Sequence, residues 1–197
     1  MKEKIAEAAL KEFLKSGIRD MSVAKLIAPL GISTKTFYKH FESKEALLKE
    51  CLNILYNGEK LRNIINEPAD PVTKILTVFQ RALAEDFGIN HAFYHDLNYY
   101  YPDLQNEAIA RVREKFGGLM IPLIGKGVED GYFLEDLDMR VALIGINTLY
   151  TSITRGREYG DKQSDPHLLF RNLVVVFVRG MCTKKGRKKI ETNLKSK

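Results

Sequence analysis

The sequence predicts an all-α protein of about nine helices, with a small three-helix head followed by a larger helical body. Apolar residues recur at three- and four-residue spacing along nearly the whole chain. Helix starts are marked by Ser22, Ser33, Ser43, Asp70-Pro71 and Asp165-Pro166, and ends by Gly17, Gly31, Gly88 and Gly131. No stretch alternates with the two-residue period of a strand hairpin, and no internal repeat occurs. At 197 residues and 45% hydrophobic content, the chain has enough apolar mass for a real core.

The head comes first. Ile5, Ala6, Ala9, Leu10, Phe13 and Leu14 line one face of a first helix, which Gly17 closes. Ser22 is placed to cap a second helix whose inward stripe is Val23, Leu26 and Ile27. Pro29 and Gly31 end it, and Ile32 plugs the elbow. Ser33 caps a third helix that buries Phe37 and Phe41 and presents Thr34, Lys35, Thr36, Tyr38, Lys39 and His40 outward. Two short helices at an elbow, the second covered in hydroxyl and cationic donors, form a helix-turn-helix suited to phosphates and base edges in a major groove. Ser43-Lys44-Glu45 then opens a fourth helix with Leu47, Leu48, Cys51, Leu52 and Leu55 on its inner face.

Several marks in this run go together: AA…F…G in the first helix, the polar-Val opening of the second, and Gly31-Ile32-Ser33 at the elbow. Thr36-Phe37-Tyr38 with the His-Phe close, and Ser43-Lys44-Glu45 with Leu47, complete the set. In combination they resemble the N-terminal domain of the TetR family of one-component transcriptional regulators, over about a quarter of the chain. Two residues depart from that pattern. Ile27 stands where the family usually has a small Ala, and Pro29 where a helical polar residue is usual. The resemblance implies Thr34, Lys35 and Thr36 at base edges, with Ser22, Ser33, Tyr38, Lys39, His40 and Lys44 on phosphates. It also implies a double-stranded DNA operator, a homodimer and a small-molecule ligand of unknown identity.

The body follows in order. Val72, Ile75, Leu76, Phe79 and Leu83 form a stripe behind Asp70-Pro71, and a short aromatic helix runs from Ala92 to Tyr101. A long amphipathic stretch follows from Asp103, with interruptions expected at Gly117, Gly118 and Pro122. The next helix starts at Asp136 or Asp138 and the last at Asp165. The small residues Gly145, Thr148 and Ser152 and the apolar run Val174 to Val178 suit close helix approach. Paired with the resemblance, they imply dimerisation through about 141–156 and 167–181. The aromatic segment suggests a cavity with a few polar points, and similar proteins hold an inducer there. The candidate lining is Tyr94, Asn98, Tyr101, Asn147, Tyr150, Thr151 and Arg155. The expected division is 1–45 as DNA-binding head, 46–183 as ligand-binding and dimerisation body, and 184–197 as a flexible basic tail.

Charge is unevenly placed: +3 over residues 1–50, −4 over 51–178 and +7 over 179–197. That distribution suits a DNA-binding head on a body that need not touch DNA. With two cysteines and no signal-peptide pattern, the expectation is a cytoplasmic, disulfide-free protein. No run approaches the ~20 apolar residues of a membrane span. His91 and His95 share a helix face, but Ala92 replaces the Glu of a zinc-peptidase helix, so no metal and no cofactor is expected. No nucleophile elbow or phosphate-binding glycine loop is present, so no catalytic residue is assigned. The expectation is a ligand-responsive repressor of a pseudo-palindromic operator. An activator, a ligand-independent DNA binder and a helical carrier of an apolar molecule are the alternatives.

Overall fold

A computed structural model describes residues 1–155 and 165–195, with only the backbone of Arg155. The expectations placed on the Arg155 side chain, residue 156 and residues 196–197 lie outside these. The helices in chain order are α1 Lys2–Ser16, α2 Val23–Ile27, α3 Thr34–Tyr38, α4 Lys44–Leu55, α5 Glu59–Asn66 and α6 Pro71–Phe87. They continue with α7 His91–Tyr100, α8 Pro102–Glu129, α9 Met139–Arg155, α10 Pro166–Leu169, α11 Val175–Met181 and α12 Lys184–Lys195. Ala28–Leu30 makes a 3₁₀ turn after α2, and Phe170–Val174 a π-helical turn between α10 and α11. Among the described residues, β pairing is confined to one isolated bridge, Phe133 to Cys182. No described helix is long and apolar enough to cross a membrane.

The chain divides into two compact units, and both are discontinuous: Met1–Asn57 with Ile89–Arg113, and Gly58–Gly88 with Glu114–Lys197. In the first unit Ile5, Ala6, Ala9 and Phe13 of α1 meet Leu26 and Ile27 of α2, Phe37, and Leu47, Leu48, Cys51 and Leu52 of α4. Phe93, Tyr94 and Leu97 of α7 and Ala108 of α8 complete that core. This unit reaches beyond the expected 1–45 head, taking in α4, α7 and the start of α8. Ile27, which stands where a small Ala is usual, is 3% exposed inside this cluster. Burial and, to a smaller extent, Glu50 push the Cys51 thiol up to about 12, so it acts as a small apolar side chain.

In the second unit α6 supplies Val72, Ile75, Leu76, Phe79 and Leu83. Met120, Leu123 and Ile124 of α8, Ala142, Leu143, Ile146 and Ile153 of α9, and Val174, Val175 and Val178 pack with them. α8 runs unbroken through Gly117, Gly118 and Pro122, against the expected interruption. Helix propensity is a weak prior, and buried Met120, Leu123 and Ile124 hold the segment in place. The basic segment expected to be flexible folds as α12, with Ile190 1% exposed in the core. α5 had no expectation attached to it.

Phe37 is fully buried, and its ring stacks on Phe41 at 5.6 Å. Phe37→Ala should destabilise the first unit by about 3–5 kcal/mol. Chemical denaturation of parent and variant checks this, and a difference below about 1 kcal/mol would remove the ring from the core's account.

Candidate nucleic-acid interface

Local chemistry builds the third helix with little ambiguity. Gly31 takes φ +62°, a left-handed conformation that reverses the chain after the 3₁₀ turn around Pro29. Ser22 Oγ accepts from Lys25 N at 3.3 Å and Ser33 Oγ from Thr36 N at 3.1 Å, so both helices carry serine caps. The Thr36 hydroxyl lies 3.0 Å from Ser33 Oγ, which ties this side chain into the cap. Phe37 anchors the helix from below, and the Tyr38 ring meets it edge-on at 5.1 Å. Thr34, Lys35 and Lys39 stand exposed, Tyr38 is 57% exposed, and His40 is half-buried. Ser22 and Ser33 are also exposed at the starts of their helices. The arrangement offers two ammonium groups, a phenol and hydroxyls on one short, capped helix.

Lys44 is placed differently from the expectation. Its Nζ donates to Ile18 O at 2.5 Å and Arg19 O at 3.2 Å, in the turn after α1. Burial lowers its pKa, partly offset by the negative charges of Asp96 and Asp20. The ammonium is a clasp on the backbone, and a phosphate would have to compete with two carbonyls for it.

Asp96 of α7 holds the other side of that turn, and sequence reasoning assigned it no role. It is 7% exposed, and its Oδ2 accepts from Ile18 N and Arg19 N, both at 2.8 Å. Burial works against its charge. The amides of Arg19 and Ile18, with His95 beside it, outweigh that and hold the carboxyl below the usual carboxylate range. Gly17 makes the approach possible: at φ +84°, a Cβ there would sit 2.9 Å from Ala92 Cβ and 3.0 Å from Asp96 Oδ2. Asn90 adds two bonds to the end of α1, from its backbone N to Leu14 O at 2.9 Å and from Nδ2 to Lys15 O at 3.0 Å. Arg19 Nη1 donates to Tyr100 OH at 2.6 Å. The only sequence signal for this grip was a lone acid inside an aromatic helix.

The expected ligand-lining residues divide between the two units. Tyr94 and Tyr101, buried and half-buried, belong to the first, and Tyr94 is part of its core. Asn98 and Thr151 are exposed, and the Thr151 hydroxyl donates to Asn147 O within its own helix. They do not line an interior, because the helical phase turns both to the surface. In the second unit half-buried Tyr150 donates to Asp86 Oδ2 at 2.5 Å, and its ring meets Phe79 at 5.8 Å. Phe116 lies against Phe79 at 6.1 Å. Asn147 is half-buried on the same helix. The second unit also has a groove of about 190 Å³ bordered by Leu76, Gln80, His167, Phe170, Arg171 and Leu194. In the first unit Gln105 Oε1 is buried without a hydrogen-bond partner among the described residues. His95 stacks on Tyr99 and lies 3.5 Å from Asp96, and His91 is exposed.

Residues 5–51 match the family described as bacterial regulatory proteins, tetR family. The HTH-type transcriptional repressor KstR2 of Mycobacterium tuberculosis is 25% identical over 145 residues, which span 68% of this chain and 70% of the relative. FadR from Bacillus subtilis in complex with stearoyl-CoA has a similar fold, with TM-score 0.71 and 19% identity over 92% of this chain and all of that one. The reduced form of NemR from E. coli superposes with TM-score 0.75 at 14% identity, covering 92% of this chain and 96% of its own.

Because the Asp96 pKa is lower in the folded state than in the unfolded one, its stabilisation is complete above the unfolded value, about 3.9. It is lost as pH falls through the folded value. Asp96→Asn should therefore destabilise the first unit at pH 7 and flatten the acid limb of its stability profile. Denaturation from pH 7 to pH 2 reads both effects, and an unaltered acid limb would show that Asp96 does not titrate with folding.

Proposed function

We propose, since this chain belongs to the tetR family of bacterial regulatory proteins, that it is a repressor that binds a pseudo-palindromic operator as a homodimer and leaves it on binding a small molecule. The observation that carries this is the capped third helix, with Phe37 buried beneath it and Lys35, Tyr38 and Lys39 in solvent. Thr34, Lys35 and Thr36 read base edges. Ser22, Ser33, Tyr38, Lys39 and His40 hold phosphates, which fix register without reading sequence. Lys44 contributes by fixing the turn after α1, with phosphate contact as a lesser role. The protein acts in the cytoplasm, where its DNA is.

Two recognition helices must lie about 34–36 Å apart to enter successive major grooves, so a dimer is required. Exposed apolar residues on α9 and on the segment from α10 to α11 support where it forms. Val141 is 64% exposed, Ile144 66%, Leu168 60% and Val176 61%, although each is an aliphatic side chain. Gly145 lets Phe177 lie against α9, since a Cβ there would fall 2.9 Å from that ring. These residues fall within 141–156 and 167–181.

A ligand with unequal affinity for two body conformations shifts DNA affinity by the same coupling energy. The second unit supplies a suitable polar point in Tyr150 and Asp86, with Phe79 and Phe116 as apolar walls. KstR2 is named a repressor, which supports repression, and FadR was solved with stearoyl-CoA, which supports a ligand with a large apolar part. Stearoyl-CoA is the first probe. Release of the operator by it in the parent and not in Tyr150→Phe supports this placement, and equal release in both removes Tyr150 from it.

Duplexes selected from a random library by the purified protein, followed by anisotropy titration, test the central claim. Enrichment of an inverted repeat is expected, and no enrichment with no binding at low salt would overturn it. Lys35→Ala should weaken operator binding roughly tenfold or more, and Tyr38→Phe should weaken it less, with the oligomeric state unchanged. Ile144→Glu with Val176→Glu should give monomers in sedimentation and lose the operator. A dimer that persists would place the interface elsewhere.

A further inference from the structure

We propose that the outer face of α12 is a second, sequence-independent binding surface for the phosphodiester backbone of nucleic acid. From Lys184 to Lys195 the helix carries six cationic residues and one carboxylate, Glu191. Its inner side is fixed to the second unit. Ile190 is 1% exposed, and Gly186 packs so closely that a Cβ would lie 2.2 Å from Tyr132 O. Asn193 Nδ2 donates to Thr73 Oγ1 at 2.9 Å, and Lys189 Nζ lies 3.5 Å from Asp70. Lys185 Nζ donates to Asp130 O at 2.6 Å and sits 4.2 Å over the Tyr132 ring. Arg179 draws Glu191 to itself at 3.4 Å.

What remains is Lys184, Arg187, Lys188 and Lys195, all exposed and without an acidic partner among the described residues. Arg187 and Lys188 stand three and four residues after Lys184, so these three share one helix face roughly 5–6 Å apart. Like charges held at that spacing repel one another and are relieved by a polyanion with regular charges. Two polyanions suit a basic helix, and the exposed side decides between them. A membrane-surface helix needs apolar side chains to insert, whereas Ile190 is buried in the protein core. Charge alone is left, which is what binding to a phosphate backbone uses. The consequence for a regulator is retention on bulk DNA, apart from the operator contacts of α3.

The test uses the full chain with its recognition helix disabled by Lys35→Glu and Lys39→Glu. This protein should still bind a random-sequence duplex in a salt-sensitive way. Adding Lys184→Ala, Arg187→Ala and Lys188→Ala should flatten the slope of log affinity against log salt by about 2.7 for three phosphates. That slope corresponds to about forty-fold between roughly 50 and 200 mM salt. Alanine favours helix, and an unchanged circular dichroism spectrum is the check that α12 is kept; Lys188→Glu alone serves as a milder second variant. Equal slopes with and without the α12 substitutions overturn the proposal. So does α12-dependent binding to phosphatidylserine vesicles without any effect on the duplex. The triple alanine variant in the parent background should keep its operator preference over random sequence, which separates this surface from the operator reading.

Discussion

The turn from Gly17 to Arg19 is held from both faces, and the geometry of the DNA-binding unit depends on it. The Asp96 carboxylate takes the amides of Ile18 and Arg19, while the Lys44 ammonium takes their carbonyls. Without its partner, the buried Ile18 amide would cost about 1–3 kcal/mol. The turn joins α1 to α2, and α2 leads through the Pro29 elbow to α3. Its conformation therefore sets how the recognition helix is presented. The clamp comes from α4 on one side and α7 on the other, so two helices share responsibility for one short turn.

The helix-turn-helix was legible because its signals are local. Ser22 and Ser33 cap within three residues, Gly31 reverses the chain at its own φ, and Phe37 is the one wholly apolar side chain on an otherwise polar helix. Asp96 was not legible. Its partners lie 77 and 78 residues away, and nothing near it in sequence distinguishes a cap from a surface acid. The backbone partners of Lys44 were hidden for the same reason: a lysine at a helix start fits a phosphate, and only the folded turn supplies its carbonyls. The exposed positions of Asn98 and Thr151 show the limit of reading pocket residues from helical segments whose neighbours are unknown.

The C-terminal helix illustrates a different failure. Ile190 and Leu194 are its only large aliphatic side chains, too few to outweigh six cations in a pattern judged by composition. Docking needs only a narrow stripe, and Gly186 lets the backbone approach where a side chain would stand off. Tertiary contacts overrode a polar sequence. The same holds at Val176, which lies in an unbroken run of apolar residues yet points to solvent while Val174, Val175 and Val178 fill the core.

The first unit is also discontinuous along the chain, and this has a consequence for synthesis. The Phe93, Tyr94 and Leu97 side chains that close its core are made well after α4, with α5 and α6 of the other unit in between. During translation the early helices wait with an apolar face uncovered until α7 follows. Entropy of loop closure is paid across that interval, so folding of the DNA reader is slowed by a long-range contact. A nascent chain halted near residue 60 holds every side chain proposed to read bases and lacks the α7 residues that complete the core beneath them, so competence to find an operator comes late in synthesis.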